Sequence, residues 1–474
     1  MSNHDLQNAS TTPGLPLSLG IGPLLEKADV EKHPRALDRR SLMVAALCVG
    51  LAVAMTPIAR CLMGLIGLIT NLVFYGRVSF DLVSPAGTGL GVALVAVPVL
   101  GSIVVGLMAR FGSKAIRGHG IPEAMEQILT NDSRIPVRMT FLKPLSAAIA
   151  IGTGGPFGAE GPIIATGGAL GSLIGQLIHV TAHERKVLLA AGAAAGMTAI
   201  FGTPFSAVLL AIELLVFEFR PRSFIPVTLA ALTAIMLRPL VFGTEPVFHI
   251  AALAAASPAA LISYGLEGVV MGLFAVLIAK STYVIEDLFE HLPIHWMWWP
   301  AIGGLCVGLV GLVSPHTMGV GYDNIERILS GRFVGTALMV FCLLKFVSWA
   351  VALGSGTSGG TLAPIFTVGG SLGVMIAEAF KWALPGMDID IRMAALVGMA
   401  ACFAGASRAF FASVLFALEI TGQFNTLLPL LAGCCTAFMV SAFLMKTTIM
   451  TEKLARRGHH VPSDYVPHPR PAET

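Results

Sequence analysis

Apolar stretches long enough to cross a bilayer recur along the whole chain, at residues 41–58, 91–109, 266–279 with their flanks, 333–351 and 426–445. A helix needs about 20 mostly apolar residues to span the hydrocarbon, so each of these runs predicts a transmembrane helix. The apolar runs before Gly158 and Gly360 are shorter and punctuated by glycine, which predicts broken helices. At membrane depth, backbone released from a helix survives only where protein buries it or where it lines a watery cavity. The pattern thus predicts an all-α, polytopic membrane protein with interrupted helices around an interior site.

The pattern also occurs twice. Residues 142–171 (LKPLSAAIAIGTGGPFGAEGPIIATGGALG) return as residues 344–373 (LKFVSWAVALGSGTSGGTLAPIFTVGGSLG) at a constant offset of 202, with 14 of 30 positions identical and no gap. Upstream, GHGIPEAMEQIL (118–129) resembles GVGYDNIERIL (319–329), with one residue fewer. Downstream, TPFSAVLLAIE (203–213) matches AFFASVLFALE (409–419). The duplicated unit covers roughly 118–213 and 319–419. Gly/Pro-interrupted segments at matching positions of two halves point to a shared site where the halves meet. Hydropathy with short broken helices does not settle whether the halves are parallel or inverted.

Composition agrees with a bilayer setting: 55% apolar residues and 12% charged residues, with a mean hydropathy of +0.80, exceed what a water-solvated surface tolerates. Residues 1–40 are polar and lack the charged-then-apolar layout of a cleaved signal peptide. Lys27, Lys32, Arg35, Arg39 and Arg40 precede the first span, and Lys446, Lys453, Arg456 and Arg457 follow the last. The positive-inside rule then places both ends in the cytoplasm, with an even number of crossings. Residues 1–36 are expected as a cytoplasmic segment, 37–245 and 246–446 as the two membrane halves, and 447–474 as a cytoplasmic tail too short for a folded domain. The seven cysteines sit mostly within apolar spans at spacings unlike a disulfide framework or a zinc site. A net charge of +3 reflects the basic ends, which suit an anionic leaflet; no basic stripe interleaved with aromatics points to nucleic acid.

The glycines carry the candidate chemistry. GHGIP (118–122), GAEGP (158–162) and GTLAP (360–364) each put glycine in a turn and proline in the first turn of the next helix, where its missing N–H costs nothing. Helix N-termini carry partial positive charge, and several converging at mid-membrane form an anion site without a fixed full charge. Glu160 stands out: an acid flanked by Gly158, Gly161 and Pro162 in an apolar setting is expensive in a membrane and is a functional candidate by default. Its counterpart in the second copy is Leu362, so the fold does not demand an acid there.

GHGIPE, GAEGP and GTLAP, in this order and followed by LLAIE and LFALEIT, resemble the CLC family of chloride channels and proton-coupled chloride exchangers from about the first span to Arg457. The resemblance implies a homodimer whose subunits each carry an anion pathway between two inverted halves, with Glu160 as the gating glutamate. Ionised, its carboxylate would take the place of the anion; protonated or displaced, it would leave, coupling flux to pH. The anion-binding candidates are Gly118, His119, Gly120, Ile121, Pro122, Gly158, Gly161, Gly360, Thr361, Leu362, Ala363, Pro364 and Met450. The implied ligand is bound chloride or a similar small anion, without a cofactor or metal.

Three positions depart from better-studied members. His119 stands where many have a serine, and imidazole can donate an N–H or become cationic. Met450 stands where a tyrosine hydroxyl usually faces the anion. Leu214 stands where proton-coupled members carry an internal glutamate. Glu218 lies four residues beyond and either substitutes by helical i,i+4 geometry or belongs to an interfacial cap with Arg220 or Arg222; the cap is the favoured reading. Glu213 and Glu419 are expected to be structural, accepting buried hydrogen bonds, and Lys143 and Lys345 either bias the pathway toward anions or pair charges inside the bundle.

The expected function is transport of chloride or a similar anion across the cell membrane in the manner of a voltage-gated chloride channel. A proton-coupled exchanger, or a fluoride- or nitrate-preferring variant, is the alternative. A remote rival is an intramembrane serine protease, since GTSG (356–359) fits a G-x-S-G pattern. No histidine occurs between His316 and His459 to serve as its base. Expected partners are the small anion, membrane lipid and a second copy of the chain, with no nucleic acid.

Overall fold

The structure is a computed structural model that describes residues 39–383, 386, 388–459 and 461. The expected N-terminal segment 1–36 lies outside the described residues, as do 460 and 462–474 of the tail. The first half contains α1 (Arg39–Tyr75), α2 (Ala96–Phe111), α3 (Ile121–Thr130), α4 (Met139–Gly152), α5 (Glu160–Leu177), α6 (Ala182–Phe201), α7 (Pro204–Ala211) and α8 (Pro221–Leu237). The second contains α9 (Pro258–Glu290), α10 (Trp299–Val313), α11 (Tyr322–Leu329), α12 (Gly335–Gly354), α13 (Leu362–Ala383), α14 (Ile391–Ser407), α15 (Phe410–Thr421) and α16 (Leu427–Leu444). A single turn, α17 (Glu452–Arg456), follows. Among the described residues, eight helical stretches are long and apolar enough to cross a membrane. The five predicted runs fall on α1, α2 with the 3-10 turn before it, α9, α12 and α16.

The packing shows a duplication larger than the visible sequence repeat. In the first half α1 packs on α4, α6 and α8, and α5 packs on α4 and α6; in the second, α9 packs on α12, α14 and α16, and α13 packs on α12 and α14. Helix α2 also packs on its counterpart α10, and α7 on its counterpart α15. Matching elements touch near a pseudo-twofold axis, and the halves meet through these two contacts and through the starts of α5 and α13. The repeat therefore embraces α1–α8 and α9–α16, beyond the 118–213 and 319–419 segments legible as sequence.

Small residues let the interior helices approach closely, as membrane packing requires. A Cβ on Gly369 of α13 would come within 2.7 Å of the Gly398 carbonyl oxygen of α14, and one on Gly398 within 2.6 Å of the Gly369 carbonyl oxygen. Gly167 of α5 and Gly192 of α6 stand in the same relation in the first half. The core is thus tightest beside α5 and α13, the two helices that begin at the glycine motifs. Over its most apolar window α13 is 83% buried, whereas α16 is 33% buried, so α13 runs through the centre while α16 shows an apolar face outward.

The acids at the ends of the matching segments join the halves. Glu213 accepts from the backbone N–H groups of Phe411 (3.0 Å) and Ala412 (3.1 Å) at the start of α15. Glu419 accepts from those of Phe205 (2.9 Å) and Ser206 (2.8 Å) at the start of α7. Each carboxylate caps the N-terminus of the other half's helix, meeting donors that would otherwise be orphaned in an apolar interior. The structural role expected for this pair is what the geometry shows.

Candidate functional site

The three glycine motifs each start a helix, and the three starts meet. Gly120 is the N-cap of α3 at φ 95°, a conformation that suits glycine, and Pro122 lies in the first turn. Glu123 closes the cap by accepting from Gly120 N–H at 2.7 Å and is held by Lys453 at 3.1 Å. Gly158 and Gly360, just ahead of α5 and α13, exchange backbone hydrogen bonds: Gly360 N–H donates to Gly158 O at 3.1 Å and Gly158 N–H to Gly360 O at 3.4 Å. Gly359 N–H donates to Gly118 O at 3.4 Å, which adds the first motif to the junction.

Glycine is what allows this contact. A Cβ on Gly161 would run into the His119 carbonyl oxygen and stand 3.0 Å from the Gly360 Cα; one on Gly120 would stand 2.7 Å from the Gly161 carbonyl oxygen. Gly161 is therefore the point at which all three motifs touch.

Glu160 is the first residue of α5 and is 1% exposed. Its side chain folds back over Gly158, where a Cβ would collide with Oε2 and lie 2.8 Å from Ala363 Cβ in the first turn of α13. The carboxylate thus rests against the starts of two helices from different halves. Oε1 accepts a hydrogen bond from the Tyr322 hydroxyl at 3.2 Å, while Oε2 is buried with no hydrogen-bond partner. Tyr322 opens α11, the repeat counterpart of α3. No motif marks Tyr322 in the sequence; the available signal is its position as the counterpart of Ile121, at the start of the matching short helix.

A cavity of about 580 Å³ runs beside α3 and has Gly118, His119, Gly120 and Lys143 among its lining residues. Arg117 also lines it, with its guanidinium over the Trp296 and Trp299 rings. On α11, a second, polar cavity of about 390 Å³ is lined by Asp323, next to Tyr322, and by Arg327, Arg332 and Arg392. One cavity thus lies beside α3 and the other beside its counterpart α11.

The remaining candidates fall as follows. Ile121, Pro122, Gly158, Gly161, Gly360, Leu362, Ala363 and Pro364 are buried at the helix starts. His119 is 6% exposed with Nδ1 lacking a partner, and Thr361 Oγ1 is likewise buried and unpartnered, so both polar atoms are uncommitted near the junction. Met450 is fully buried in the turn before α17, while its neighbour Ile449 lines the larger cavity. Lys143 donates to the carbonyls of Ile116 and Gly118, each at 2.8 Å, and Lys345 donates to that of Thr317 at 2.8 Å. These lysines anchor the loops leading into α3 and α11, which neither reading of them had anticipated.

Glu218 does not continue the α7 face. The helix passes into a π turn at Ile212–Val216 and the chain reverses at Phe217, φ 56°, so the i,i+4 relation to Leu214 is lost. Glu218 instead accepts from the Ser223 hydroxyl and pairs with His183 at 3.5 Å, Arg220 at 3.9 Å and Lys186 at 4.0 Å. It is the favoured interfacial cap. Ser358, the serine of the G-x-S-G pattern, is buried with Oγ 3.1 Å from Ser146 Oγ, a packing contact between hydroxyls rather than a nucleophile and its base.

Residues 100–442 match the family model described as voltage gated chloride channel. Among curated relatives, the chain is 30% identical over 375 residues to a protein of Salmonella paratyphi B named H(+)/Cl(-) exchange transporter ClcA, covering 74% of this chain and 76% of that one. It is 25% identical over 364 residues to a putative chloride channel protein ClcB-like of Ralstonia nicotianae, covering 76% and 85%. Among solved structures, a slow cyanobacterial Cl-/H+ antiporter superposes with a TM-score of 0.74 at 20% identity over 90% of this chain and 98% of that one. A CLC-type fluoride/proton antiporter superposes with a TM-score of 0.71, also at 20% identity, over 84% and 95%.

Proposed function

The chain belongs to the CLC family of voltage-gated chloride channels and chloride/proton exchangers, and from that membership we propose that it passes chloride through a pathway gated by Glu160. It is a multi-pass membrane protein for anion transport and not an enzyme. The reading rests on one observation above all: a buried carboxylate, in no ion pair among the described residues, lies on the converging N-termini of α5 and α13. That is where partial positive charge favours an anion. Chloride and the ionised carboxylate compete for this position, and protonation of Glu160 vacates it. The anion would be lined by the starts of α3, α5 and α13, with His119 just ahead of α3. The working form is a homodimer in the cell membrane with both termini in the cytoplasm, each subunit carrying its own pathway.

Conduction without proton coupling is the favoured mode. Glu213 is committed to capping α15, Leu214 is apolar, and Glu218 is held in a surface ion cluster, so this segment offers no inner proton acceptor. In reconstituted bilayers with a pH gradient, the reversal potential is expected to follow the chloride gradient alone. A reversal potential that moves with the proton gradient would establish the exchanger instead.

His119 should influence which anion passes. Replacing its imidazole by the hydroxyl of His119→Ser exchanges one donor geometry for another, and a single neutral hydrogen bond corresponds to about fivefold in preference. The expected outcome is a change of that order in the chloride:nitrate or chloride:fluoride permeability ratio. Identical ratios in both proteins would assign His119 to packing.

A further inference from the structure

Tyr322 lies outside the three glycine motifs, yet its hydroxyl is the side-chain group that meets the Glu160 carboxylate. Its ring is held edge-on between Phe201, 5.9 Å away, and Phe248, 6.1 Å away. Phe201 ends α6, and Phe248 is tied to the end of α15 by a hydrogen bond from its N–H to Ile420 O. The hydroxyl is thus presented by packing from both halves, so its position does not depend on the carboxylate. We infer that Tyr322 is a positioning residue of the gate: its hydroxyl holds the ionised Glu160 side chain in the anion's place and, once that side chain leaves, donates to the anion arriving there. The inference rests on the reading of Glu160 as the gate.

The other charged or titratable groups around α5 are engaged elsewhere or face away. Lys143 on α4 and Lys345 on α12 donate to carbonyls, Glu123 on α3 is shared between Gly120 N–H and Lys453, and Asp323 on α11 is exposed to the polar cavity. His119 meets α5 through its carbonyl oxygen at Gly161. A hydroxyl donating to a carboxylate stabilises the ionised form over the neutral one. Position supplies the second part of the inference. Tyr322 stands at the first residue of α11 as Ile121 stands at the first residue of α3, so the second copy puts a phenol at the helix start where the first has an aliphatic side chain.

The test is chloride efflux from liposomes across an acid-to-alkaline pH series, comparing the wild type, Tyr322→Phe, Glu160→Gln and the double variant. Phenylalanine keeps the ring between Phe201 and Phe248. Without the hydroxyl, Glu160 leaves its place at a higher pH, so the midpoint of the fall in flux should move up by about one pH unit. In the Glu160→Gln background, Tyr322→Phe should leave the pH profile flat while changing the chloride:nitrate preference. A wild-type midpoint in Tyr322→Phe, in a protein whose profile Glu160→Gln flattens, overturns the inference and leaves the gate intact. A Glu160→Gln profile that still falls with pH removes the gate and the inference with it. Should Tyr322→Phe fail to fold as judged by its elution in detergent, Tyr322→Leu in the same assay gives the same two outcomes.

Discussion

Glu160→Gln is expected to leave anion flux nearly independent of pH and to raise it at mildly alkaline pH by roughly tenfold or more. In the wild type the carboxylate is buried against the starts of α5 and α13 with the Tyr322 hydroxyl on one oxygen, so the ionised form excludes the anion from the most favourable position. Glutamine has the same shape without the charge. It cannot compete for a site built from partial positive charges, and no proton is then needed to remove it. The sign is fixed by the competition: wild-type flux falls as pH rises through the ionisation of Glu160, and the variant does not follow. Liposome efflux across a pH series measures this directly, and a variant profile that overlays the wild type would remove Glu160 from the gate.

Gly161→Ala is the second large effect expected. A methyl group there meets the His119 carbonyl oxygen and the Gly360 Cα together, which are backbone atoms of the other two motifs and have no rotamer to yield. Overpacking a tight core typically costs about 1–3 kcal/mol, and here the displacement falls on the atoms of the proposed anion site. The thermal unfolding midpoint in detergent should drop, and flux should fall at least about tenfold, since catalysis-grade geometry is lost by shifts of order 1 Å. Gly265→Ala is the matched control: it lies within α9 with nothing within 4 Å of the added carbon. That substitution should be neutral or stabilising by up to about 1 kcal/mol. A Gly161→Ala protein with wild-type flux and stability would show that the motifs do not depend on close contact at this point.

Much of the site could be read from the chain because its parts are local. A glycine just ahead of a helix with proline in its first turn is a start signal, so the beginnings of α3, α5 and α13 were visible at Gly120, Gly158 and Gly360. An acid in such a setting is conspicuous because burying it in lipid is costly. The repeat was visible where helix starts and close packing restrict the residues, as at Gly167 and Gly369. It faded along α1, α8, α9 and α16, where many apolar residues serve equally well and the two copies share shape without sharing letters.

Glu218 shows how a local rule fails when the element it assumes is interrupted: the i,i+4 spacing was correct, but the π turn and Phe217 ended the helix before the rule applied. Lys143 and Lys345 show a different limit. Their duplication was plain, but that each would be used to hold the loop ahead of a short helix depended on where that loop lies.

By itself, the sequence determined the membrane-embedded helical architecture, the duplication, the three helix starts and the one acid among them, since these follow from hydropathy, periodicity and backbone preference over a few residues. Only the tertiary structure decided that Tyr322 meets Glu160 from 162 positions away, and that Glu213 and Glu419 cap each other's partner helices. Such contacts are set by how two halves dock about a pseudo-twofold axis. That docking is decided by contacts spread over α2, α5 and α7 and their counterparts α10, α13 and α15, which no single stretch of chain encodes.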